Sequence, residues 1–176
     1  MPRLFTGLEI PAPIAADLAM LRGGLSGARW LEPELYHLTL RFIGDVDAPT
    51  ADEIAEALGE IERPGFTVAI DGLAAFGGGK PRAIVATAQM SAPLADLQGE
   101  HERLLRRIGL APEPRKFLPH VTLARLRQIS PLAVAHYLES RGGFARSFAA
   151  TRFVLFSARD KTGGGPYVVE AAYPLL

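Results

Sequence analysis

The sequence predicts a mixed α+β fold made of two similar lobes. In two places, strand-like segments follow one another without an intervening helix, which is typical of antiparallel pairing. A His-x-Thr segment occurs at residues 37–39 and again at 120–122, with strands and helices recurring around both copies. The length of 176 residues fits one domain. We therefore expect residues 1–176 to form a single domain of two lobes, with one copy of the segment in each.

The first part of the chain predicts four strands and three helices. Segments rich in β-branched and aromatic residues predict strands, and leucines and isoleucines three or four positions apart predict helices. Pro11 and Pro13 open the first helix, Gly23-Gly24 obscure its end, and Gly109 closes the third helix. The predicted elements are a strand over Arg3–Ile10, a helix through Ile14 to Leu25, a strand over Tyr36–Ile43, a helix over Pro49–Ile61, strands over Phe66–Ile70 and Ala83–Ala88, and a helix through Leu94 to Ile108.

The second part of the chain predicts a similar series of elements. Leu118–Leu126 is a predicted strand, and Ser130-Pro131 caps a helix that continues to about Arg141. Two further strands, Phe148–Phe156 and Tyr167–Ala172, flank a turn over residues 162–166. In total we expect about four helices and about eight strands.

Composition and charge limit the functions open to the chain. Nineteen Lys and Arg balance nineteen Asp and Glu, which argues against a non-specific nucleic-acid coat protein. Residues 1–88 hold 7 basic and 12 acidic residues, so the remaining 12 and 7 fall in residues 89–176. This asymmetry favours an anionic ligand at the second half, although uneven solvated helix faces give the same pattern.

Further function classes are excluded by what the sequence lacks. Without cysteine it has no disulfide, thiolate metal site or cysteine nucleophile. Its start lacks a signal-peptide core, and no apolar run approaches the ~18 residues of a membrane span. We expect a cytoplasmic protein that does not enter a membrane, and no feature implies an obligate protein partner.

The paired motif is the feature that carries chemistry. Alternate residues of a strand share a face, so His37 and Thr39 project together while Leu38 and Leu40 pack on the other side. His120-Val121-Thr122-Leu123 repeats this pattern. Either copy alone is typical of a structural histidine at a sheet surface. If two lobes bring both copies to one cleft, one imidazole can remove a proton while the other delivers one, and the hydroxyls can bind charged oxygens.

The flanks of the two motifs extend the pattern. Residues 30–46, WLEPELYHLTLRFIGDV, and residues 115–125, RKFLPHVTLAR, resemble the two signatures of the 2H phosphoesterases. More narrowly, they are similar to RNA 2',3'-cyclic phosphodiesterases, also called 2'-5' RNA ligases. The opening strand from Arg3 and the closing segment Tyr167–Leu175 also resemble that family. The resemblance implies a bilobal pseudo-twofold fold, in which two antiparallel sheets line a central cleft and the helices lie outside.

The resemblance also implies the reaction and the roles of the site residues. The reaction would be metal-independent hydrolysis of a terminal 2',3'-cyclic phosphate to a 2'-phosphate, without a cofactor and with weak reverse ligation as a further activity. His37 would be the proton donor and His120 the proton acceptor, although the sequence symmetry alone leaves either role to either histidine. Thr39 and Thr122 would bind the phosphoryl oxygens. The partner would be RNA with a cyclic phosphate end, such as a tRNA fragment, or a small nucleotide.

Two arginines are further candidates for phosphate binding. Arg41 has the parity of His37 and Thr39, so a regular strand would point it into the cleft. Arg125 has the opposite parity to His120 and Thr122. The resemblance favours it as a phosphate contact, which requires that the strand twists or bulges after Thr122 or that the side chain reaches around the strand end. For each arginine, a surface ion pair is the alternative interpretation.

Other motifs favour structural roles. Gly77-Gly78-Gly79-Lys80 and Gly163-Gly164-Gly165 lack the G-x-x-x-x-G-K-[ST] frame and are predicted turns. His101 and His136 are expected to be packed or solvated structural histidines, and no third ligand accompanies the motif histidines to form a metal site. No G-x-S-x-G elbow supports a serine hydrolase. Two alternatives to the RNA enzyme stay open: an RNA-end or nucleotide-binding module with little turnover, and a 2H phosphodiesterase acting on a small cyclic nucleotide.

Overall fold

A computed structural model describes residues 3–158 and 166–176 of the chain. Within these residues it contains nine strands, four α-helices and one short 3-10 helix. The strands are β1 (Arg3–Glu9), β2 (Arg29–Trp30), β3 (His37–Asp45), β4 (Phe66–Phe76), β5 (Ala83–Ala88), β6 (His120–Arg125), β7 (Ala145–Ala150), β8 (Arg152–Ala158) and β9 (Tyr167–Pro174). The helices are α1 (Ala12–Ala19), α2 (Ala48–Leu58), α3 (Ala92–Arg107) and α4 (Pro131–Ser140), and the 3-10 helix is Pro33–Leu35.

The helices begin where the local sequence supplies a cap. The side chains of Asp47, Ser91 and Ser130 accept hydrogen bonds from backbone N–H groups three residues ahead, and a proline follows in each first turn. Such caps satisfy N–H groups that have no partner within the helix. Helix α1 ends at Ala19 and does not reach the predicted Leu25, since Gly23 and Gly24 have positive φ angles that do not occur within an α-helix.

All strand pairs of the sheet are antiparallel, and the strands lie in the order β7-β4-β5-β6-β3-β1-β8-β9 with β2 paired to β6. The pairing between β3 and β6 at the middle of this order consists of one residue pair, Leu38 with Val121. The predicted mixed α+β class with antiparallel sheets is therefore confirmed, and the two expected sheets meet at this single pair.

Each four-stranded set defines a lobe, and the lobes interleave along the chain. Strands β1, β3, β8 and β9 form what we call the terminal lobe, and β4 to β7 form the central lobe. Each lobe carries one motif, on β3 and on β6. The lobes do not coincide with the two halves of the sequence, because β4 and β5 pair with strands of the second half while β8 and β9 join strands of the first.

The prediction of one strand over Phe148–Phe156 is wrong. The chain forms β7 and β8 there, separated by Thr151, and the two strands belong to different lobes. The apolar residues on both sides of Thr151 and Arg152 hide this crossing, because no glycine or proline separates the two strands. The sequence analysis also missed β2 and the 3-10 helix, which are too short to show a period.

The helices cover the outer faces of the lobes. Helix α2 reaches the terminal lobe through a 2.8 Å hydrogen bond from the Tyr173 hydroxyl to the Ala55 carbonyl. Helix α3 reaches the same lobe through His101, whose ring centroid lies 4.8 Å from that of Phe153. On the other side, an ion pair of 2.8 Å joins Asp17 of α1 to Arg146 of the central lobe.

The glycine-rich segment at residues 77–80 is a turn, as predicted. It joins β4 to β5, and the Lys80 N–H donates to the Gly77 carbonyl at 3.1 Å. The second predicted glycine turn, at residues 163–165, lies outside the described residues. No helix in the described parts of the chain is long and apolar enough to cross a membrane.

Candidate active site

A cleft of about 1000 Å³ lies between the lobes and is lined by both motifs. Four predicted residues, His37, Thr39, His120 and Thr122, lie together on its surface. The fifth, Arg125, lines the same cleft. The fold therefore brings two imidazoles, two hydroxyls and a guanidinium to one surface from segments far apart in sequence.

The residues between the motif side chains anchor the two strands. Leu38 and Leu40 are 0% and 3% exposed, and Val121 and Leu123 are both 0% exposed. The predicted alternation of β3 and β6, with one face packed and the other in the cleft, is thus confirmed at these positions. Because the leucines and valine are fixed in the core, the intervening histidines and threonines have little freedom to move.

The pairing of Leu38 with Val121 sets the alignment of the motifs. Continuing this antiparallel register by one position places His37 opposite Thr122 and Thr39 opposite His120. Each histidine therefore faces the threonine of the other motif. The charge of His120 contributes to lowering the pKa of His37, so the two imidazoles lie within electrostatic reach of each other.

Matching bulges follow the two motifs. Thr6 pairs with Arg41 and Gly7 with Thr39, so Leu40 is an extra residue in β3. Ile84 pairs with Ala124 and Val85 with Thr122, so Leu123 is the corresponding extra residue in β6. A bulge reverses the side-chain parity of the residues that follow it. Consequently Phe42 and Arg125, rather than Arg41 and Ala124, share the face of the motif side chains.

The bulge corrects the interpretation of Arg41. Its side chain is 6% exposed and borders the cleft, but its guanidinium donates to the Glu102 carboxylate, to the Phe42 carbonyl and, at 2.6 Å, to the Ala111 carbonyl. These contacts engage all three nitrogens of the guanidinium. Arg41 therefore joins β3 to α3 and to the segment before β6, which favours the ion-pair interpretation, and its binding of phosphate stays a prediction.

His37 lies in an aromatic environment. Its ring centroid is 4.9 Å from that of Phe5, 5.3 Å from that of Tyr167 and 5.7 Å from that of Phe156. Loss of solvation in this environment is the largest effect on its pKa and lowers it to about 4. The hydrogen bond to the Leu35 carbonyl opposes this shift, and the charges of His120 and Arg125 add to it.

His120 has a more open environment. One ring, that of Phe76, packs edge-on against it at a centroid distance of 4.7 Å. Burial lowers the pKa of His120, the hydrogen bond to the Leu118 carbonyl raises it, and the charge of Arg125 lowers it. Phe76 and Tyr167 thus each pack a ring against one motif histidine.

The hydrogen bonds define which ring nitrogen is reactive. Nδ1 of His37 lies 2.9 Å from the Leu35 carbonyl oxygen, and Nδ1 of His120 lies 2.6 Å from the Leu118 carbonyl oxygen. Because a carbonyl oxygen only accepts, each Nδ1 carries a proton and each neutral ring has its lone pair on Nε2. Nε2 of His37 lies 2.9 Å from Oγ1 of Thr39. Each Nε2 can therefore take up a proton, or release one when charged.

The cationic side chains of the cleft differ in their pairing. Arg115 contacts Glu113 at 2.9 Å, and Arg3 contacts Asp45 at 3.3 Å. In the described parts of the chain, exposed Arg82, Lys116 and Arg125 make no ion pair. The three unpaired cations belong to the central lobe or to the segment leading into β6. An anion in the cleft would be attracted to that wall.

The remaining histidines are structural or solvated, in line with the sequence analysis. His101 is 0% exposed and donates from Nδ1 to the Leu97 carbonyl at 2.8 Å. His136 is exposed on α4. Over residues 3–158 and 166–176, no three histidine, aspartate or glutamate side chains form a group able to hold a metal ion.

The chain is similar to one family over most of its length. Residues 8–86 and, separately, residues 84–167 match the profile of a family described as LigT like phosphoesterase. Each match contains one motif. A protein from Escherichia coli strain K12 named RNA 2',3'-cyclic phosphodiesterase is 29% identical over 171 residues, which cover 94% of this chain and 92% of that protein.

Two further comparisons agree with this assignment. A protein from Aeropyrum pernix with the same name is 39% identical over 62% of this chain. The crystal structure of E. coli LigT complexed with 3'-AMP has a TM-score of 0.80 at 26% identity, covering 99% of both chains. The aligned part spans 66% of the length of the A. pernix relative and 48% of a Geobacillus stearothermophilus relative of that name.

Proposed function

Because the chain belongs to the LigT like phosphoesterase family, we propose that it is an RNA 2',3'-cyclic phosphodiesterase. It would hydrolyse the cyclic phosphate at an RNA end to a 2'-phosphate, using two histidines and no metal ion. The observation that carries this proposal is the cleft in which His37, Thr39, His120 and Thr122 lie together. The curated relatives of that name support the substrate.

The reaction divides into two proton transfers. Nε2 of His120 takes a proton from water as the water oxygen attacks phosphorus. The bond from phosphorus to the 3' oxygen breaks, and Nε2 of His37 delivers a proton to that oxygen. The products are a 2'-phosphate monoester and a 3'-hydroxyl, and the two histidines have exchanged protonation states. The assignment of donor and acceptor rests on the family resemblance, since both rings have the same tautomer.

Substrate binding prepares His37 for its role as an acid. The pKa of His37, at about 4, leaves the ring neutral at pH 7. A phosphate anion beside the ring favours the charged form and raises this pKa. The Thr39 hydroxyl, which donates to Nε2 of His37 in the empty cleft, would turn to a phosphoryl oxygen. Proton donation would therefore become available only when substrate is bound.

Thr122 and Arg125 supply the corresponding contacts from the other lobe. The register places Thr122 across from His37, so the two hydroxyls approach the phosphoryl group from opposite lobes. Arg125, exposed on the cleft face after the bulge, would add a charged donor to a non-bridging oxygen. If a 5'-hydroxyl replaced water as the nucleophile, the same groups would form a 2'-5' linkage, which we expect to be a weak side reaction.

The experiment uses an oligonucleotide with a 2',3'-cyclic phosphate, incubated with the protein in EDTA. Wild type should convert the end to a 2'-phosphate, identified chromatographically against 2'- and 3'-phosphate standards. His37→Ala and His120→Ala should each lower kcat by about 10²–10⁴-fold, because each removes a general acid or base. His136→Ala, which changes an exposed histidine on α4, is the matched control and should keep full activity.

The outcomes separate the enzyme from the alternatives. An unchanged RNA end in the presence of wild-type protein would overturn the proposal. Binding of the RNA end by wild type and by both alanine variants, with no product from either, would instead indicate a binding module. Turnover of nucleoside 2',3'-cyclic phosphates but not of oligonucleotides would indicate a phosphodiesterase for small nucleotides.

A further inference from the structure

Three arginines lie side by side at one end of the central lobe. Arg29 of β2 is directly opposite Arg125 of β6. On the other side of β6, Ala83 pairs with Arg125. The carbonyl of the preceding residue, Arg82, accepts a 2.8 Å hydrogen bond from the Leu126 N–H. Because neighbouring strands are about 4.8 Å apart, the row from Arg82 through Arg125 to Arg29 spans about 10 Å of the sheet.

The described chain does not neutralise this row. All three arginines are exposed, and none forms an ion pair or a side-chain hydrogen bond with a residue that the structure describes. Directly opposite residues have Cβ atoms about 5 Å apart, and like charges at such positions destabilise a sheet. Elsewhere in the sheet, by contrast, Arg152 of β8 contacts Glu9 of β1 at 2.7 Å. An anion bound along the row would remove the repulsion between its arginines.

The short strand β2 holds Arg29 in this position. The ring of Trp30 packs against that of Tyr137 on α4, with centroids 5.5 Å apart, and both residues of β2 pair with β6. Arg82 and Arg125 line the cleft, whereas Arg29 is not among its lining residues. The row therefore begins inside the cleft and continues past its edge.

We propose that this row binds the sugar–phosphate backbone of RNA on the 5' side of the cyclic end, with Arg29 contacting the phosphate that joins the last two nucleotides. The proposal rests on the proposed function, in which Arg125 binds the cyclic phosphate. A guanidinium offers donors in a planar fork that matches phosphate. The preceding phosphate is one nucleotide from the cyclic end, and Arg29 is one strand from Arg125, so one RNA strand can contact both.

The row also bears on the class of substrate. A nucleoside 2',3'-cyclic phosphate has a single phosphate group, so once this group lies between the motifs no second phosphate is left for Arg29. An RNA strand supplies a further phosphate for each preceding nucleotide, and each contact with a cation adds to binding. The substrate that uses the whole row is therefore an RNA strand rather than a small cyclic nucleotide.

The experiment compares two substrates over a range of KCl concentrations. One is a trinucleotide with a 2',3'-cyclic phosphate and 2'-O-methyl groups on its first two sugars, and the other is the corresponding mononucleotide. We follow the ratio of kcat/KM on the trinucleotide to kcat/KM on the mononucleotide. Both rates come from the same preparation, so the ratio cancels any loss of folded protein. If wild type uses the trinucleotide alone, its kcat/KM replaces the ratio.

Loss of the Arg29 charge should weaken the salt dependence of this ratio. Each phosphate contact on a single strand contributes about 0.7 to the slope of log affinity against log salt. In Arg29→Gln the slope should therefore be shallower by about 0.7, which corresponds to a ratio about 8-fold below wild type at about 50 mM KCl and equal to it near about 1 M. Arg29→Lys keeps the charge and should keep the wild-type slope.

A modified substrate and a matched variant show whether the effect is a contact with phosphate. With an uncharged methylphosphonate between the last two nucleotides, wild type and Arg29→Gln should give the same ratio. Arg127→Gln removes another exposed arginine without an ion pair in the described chain. Arg127 follows the end of β6, where the chain bends and Gln128 has a φ of 56°. This variant should keep the wild-type ratio.

Four results would overturn the proposal and leave the cleft chemistry of the proposed function intact. They are an unchanged ratio in Arg29→Gln at low salt, an equal loss on the methylphosphonate substrate, an equal loss in Arg127→Gln, and turnover of the mononucleotide alone. The second and third would show that Arg29 acts through the fold or through the general field of the protein. Inactivity of wild type on both substrates would instead count against the proposed function.

Discussion

At the scale of single residues, similar backbone anchors hold two histidines in different surroundings. Each Nδ1 donates to the carbonyl two positions earlier, which fixes the ring and its tautomer. Three aromatic rings contact His37, whereas one contacts His120. Desolvation is the main cause of the lowered pKa of both residues. The environment, rather than the motif, therefore distinguishes the two imidazoles.

This difference predicts a response to phosphate. The pKa of His37, at about 4 in the free protein, should rise when inorganic phosphate is added, because the anion favours the imidazolium. NMR titration of the histidine ring protons, with and without phosphate, measures the change. The pH dependence of activity should show the same shift. The pH profile of kcat reports the enzyme–substrate complex and that of kcat/KM the free enzyme, so the basic limb of kcat should lie at higher pH.

Identical His37 titration curves in both buffers would show that the anion does not bind beside this ring. If the basic limbs of the kcat and kcat/KM profiles lay at the same pH, this result would also show that the anion does not affect His37.

Substitution of the two arginines near the motifs should affect different properties, which are activity for Arg125 and stability for Arg41. Arg125→Ala should lower kcat/KM by about 10- to 100-fold, the value of a charged hydrogen bond, and leave the free energy of unfolding nearly unchanged. Arg41→Ala should lower the free energy of unfolding by about 1–3 kcal/mol, since Glu102 loses its buried partner but keeps Arg106 at 3.8 Å and the Glu113 N–H. Urea denaturation and steady-state kinetics on the same preparations measure both effects.

Arg127→Ala is the matched control for the arginine substitutions, because Arg127 is exposed and outside the cleft. It should change neither kcat/KM nor the free energy of unfolding. A stable Arg41→Ala protein with strongly reduced kcat/KM would show that Arg41 acts on substrate, contrary to the geometry of its hydrogen bonds.

At the scale of secondary structure, the bulge in β3 depends on close approach of β1. A Cβ atom at Gly7 would lie 2.8 Å from the Leu38 carbonyl oxygen, closer than atoms pack. Gly7 pairs with Thr39, so this contact lies beside the motif. A glycine at this position therefore allows β1 to follow β3 through the bulge that orients Phe42.

Substitution of this glycine should affect both stability and activity. Gly7→Ala should lower the free energy of unfolding by about 1–3 kcal/mol through overpacking and should reduce kcat by displacing β3. Thermal denaturation and steady-state kinetics measure the two effects. Gly79→Ala is the control, because a Cβ there meets no atom within 4 Å. Equal melting temperatures of the Gly7→Ala, Gly79→Ala and wild-type proteins would contradict the role given to this contact.

At the scale of the whole molecule, interleaving makes the lobes depend on each other. The chain crosses between lobes after β3, returns at Thr151 and closes the terminal lobe with β8 and β9. Neither lobe is a continuous stretch of sequence. We therefore infer that the cleft forms only when distant parts of the chain have paired.

Protonation of His101, the buried histidine of α3, should lower the free energy of unfolding of the whole protein at acidic pH. In the unfolded chain His101 takes up a proton near pH 6.5, whereas burial lowers its pKa in the folded protein to about 4. The unfolded state then binds more protons between these values, so stability is retained above pH 6.5 and falls as the pH approaches 4. We expect a loss of about 2 to 3 kcal/mol from this residue at pH 4.5 relative to pH 7.

Urea unfolding at the two pH values measures the loss. His101→Leu, which keeps an apolar side chain against Phe153, should lose less stability on acidification than wild type. His136→Leu should lose as much as wild type, because His136 is exposed. Equal losses in all three proteins would show that protonation of His101 does not limit folding.

The sequence by itself determined much of the local structure of this protein and predicted its chemistry. Period-two alternation predicted the packed and cleft faces of the motif strands, and capping residues marked the starts of three helices. The repeated His-x-Thr predicted four residues that line the cleft. These features depend on residues close together in the chain, so the sequence displays them directly.

Only the tertiary structure decided how the lobes interleave and which side chains follow the motifs into the cleft. By parity alone, Arg41 was expected on the cleft face of its strand and Arg125 on the opposite face. One extra residue in each motif strand reverses the parity of both side chains. A bulge arises from pairing with a neighbouring strand distant in sequence, and local periodicity contains no trace of it. For the same reason, the aromatic surroundings that shift the pKa of His37 exist only after β1, β3, β8 and β9 have come together.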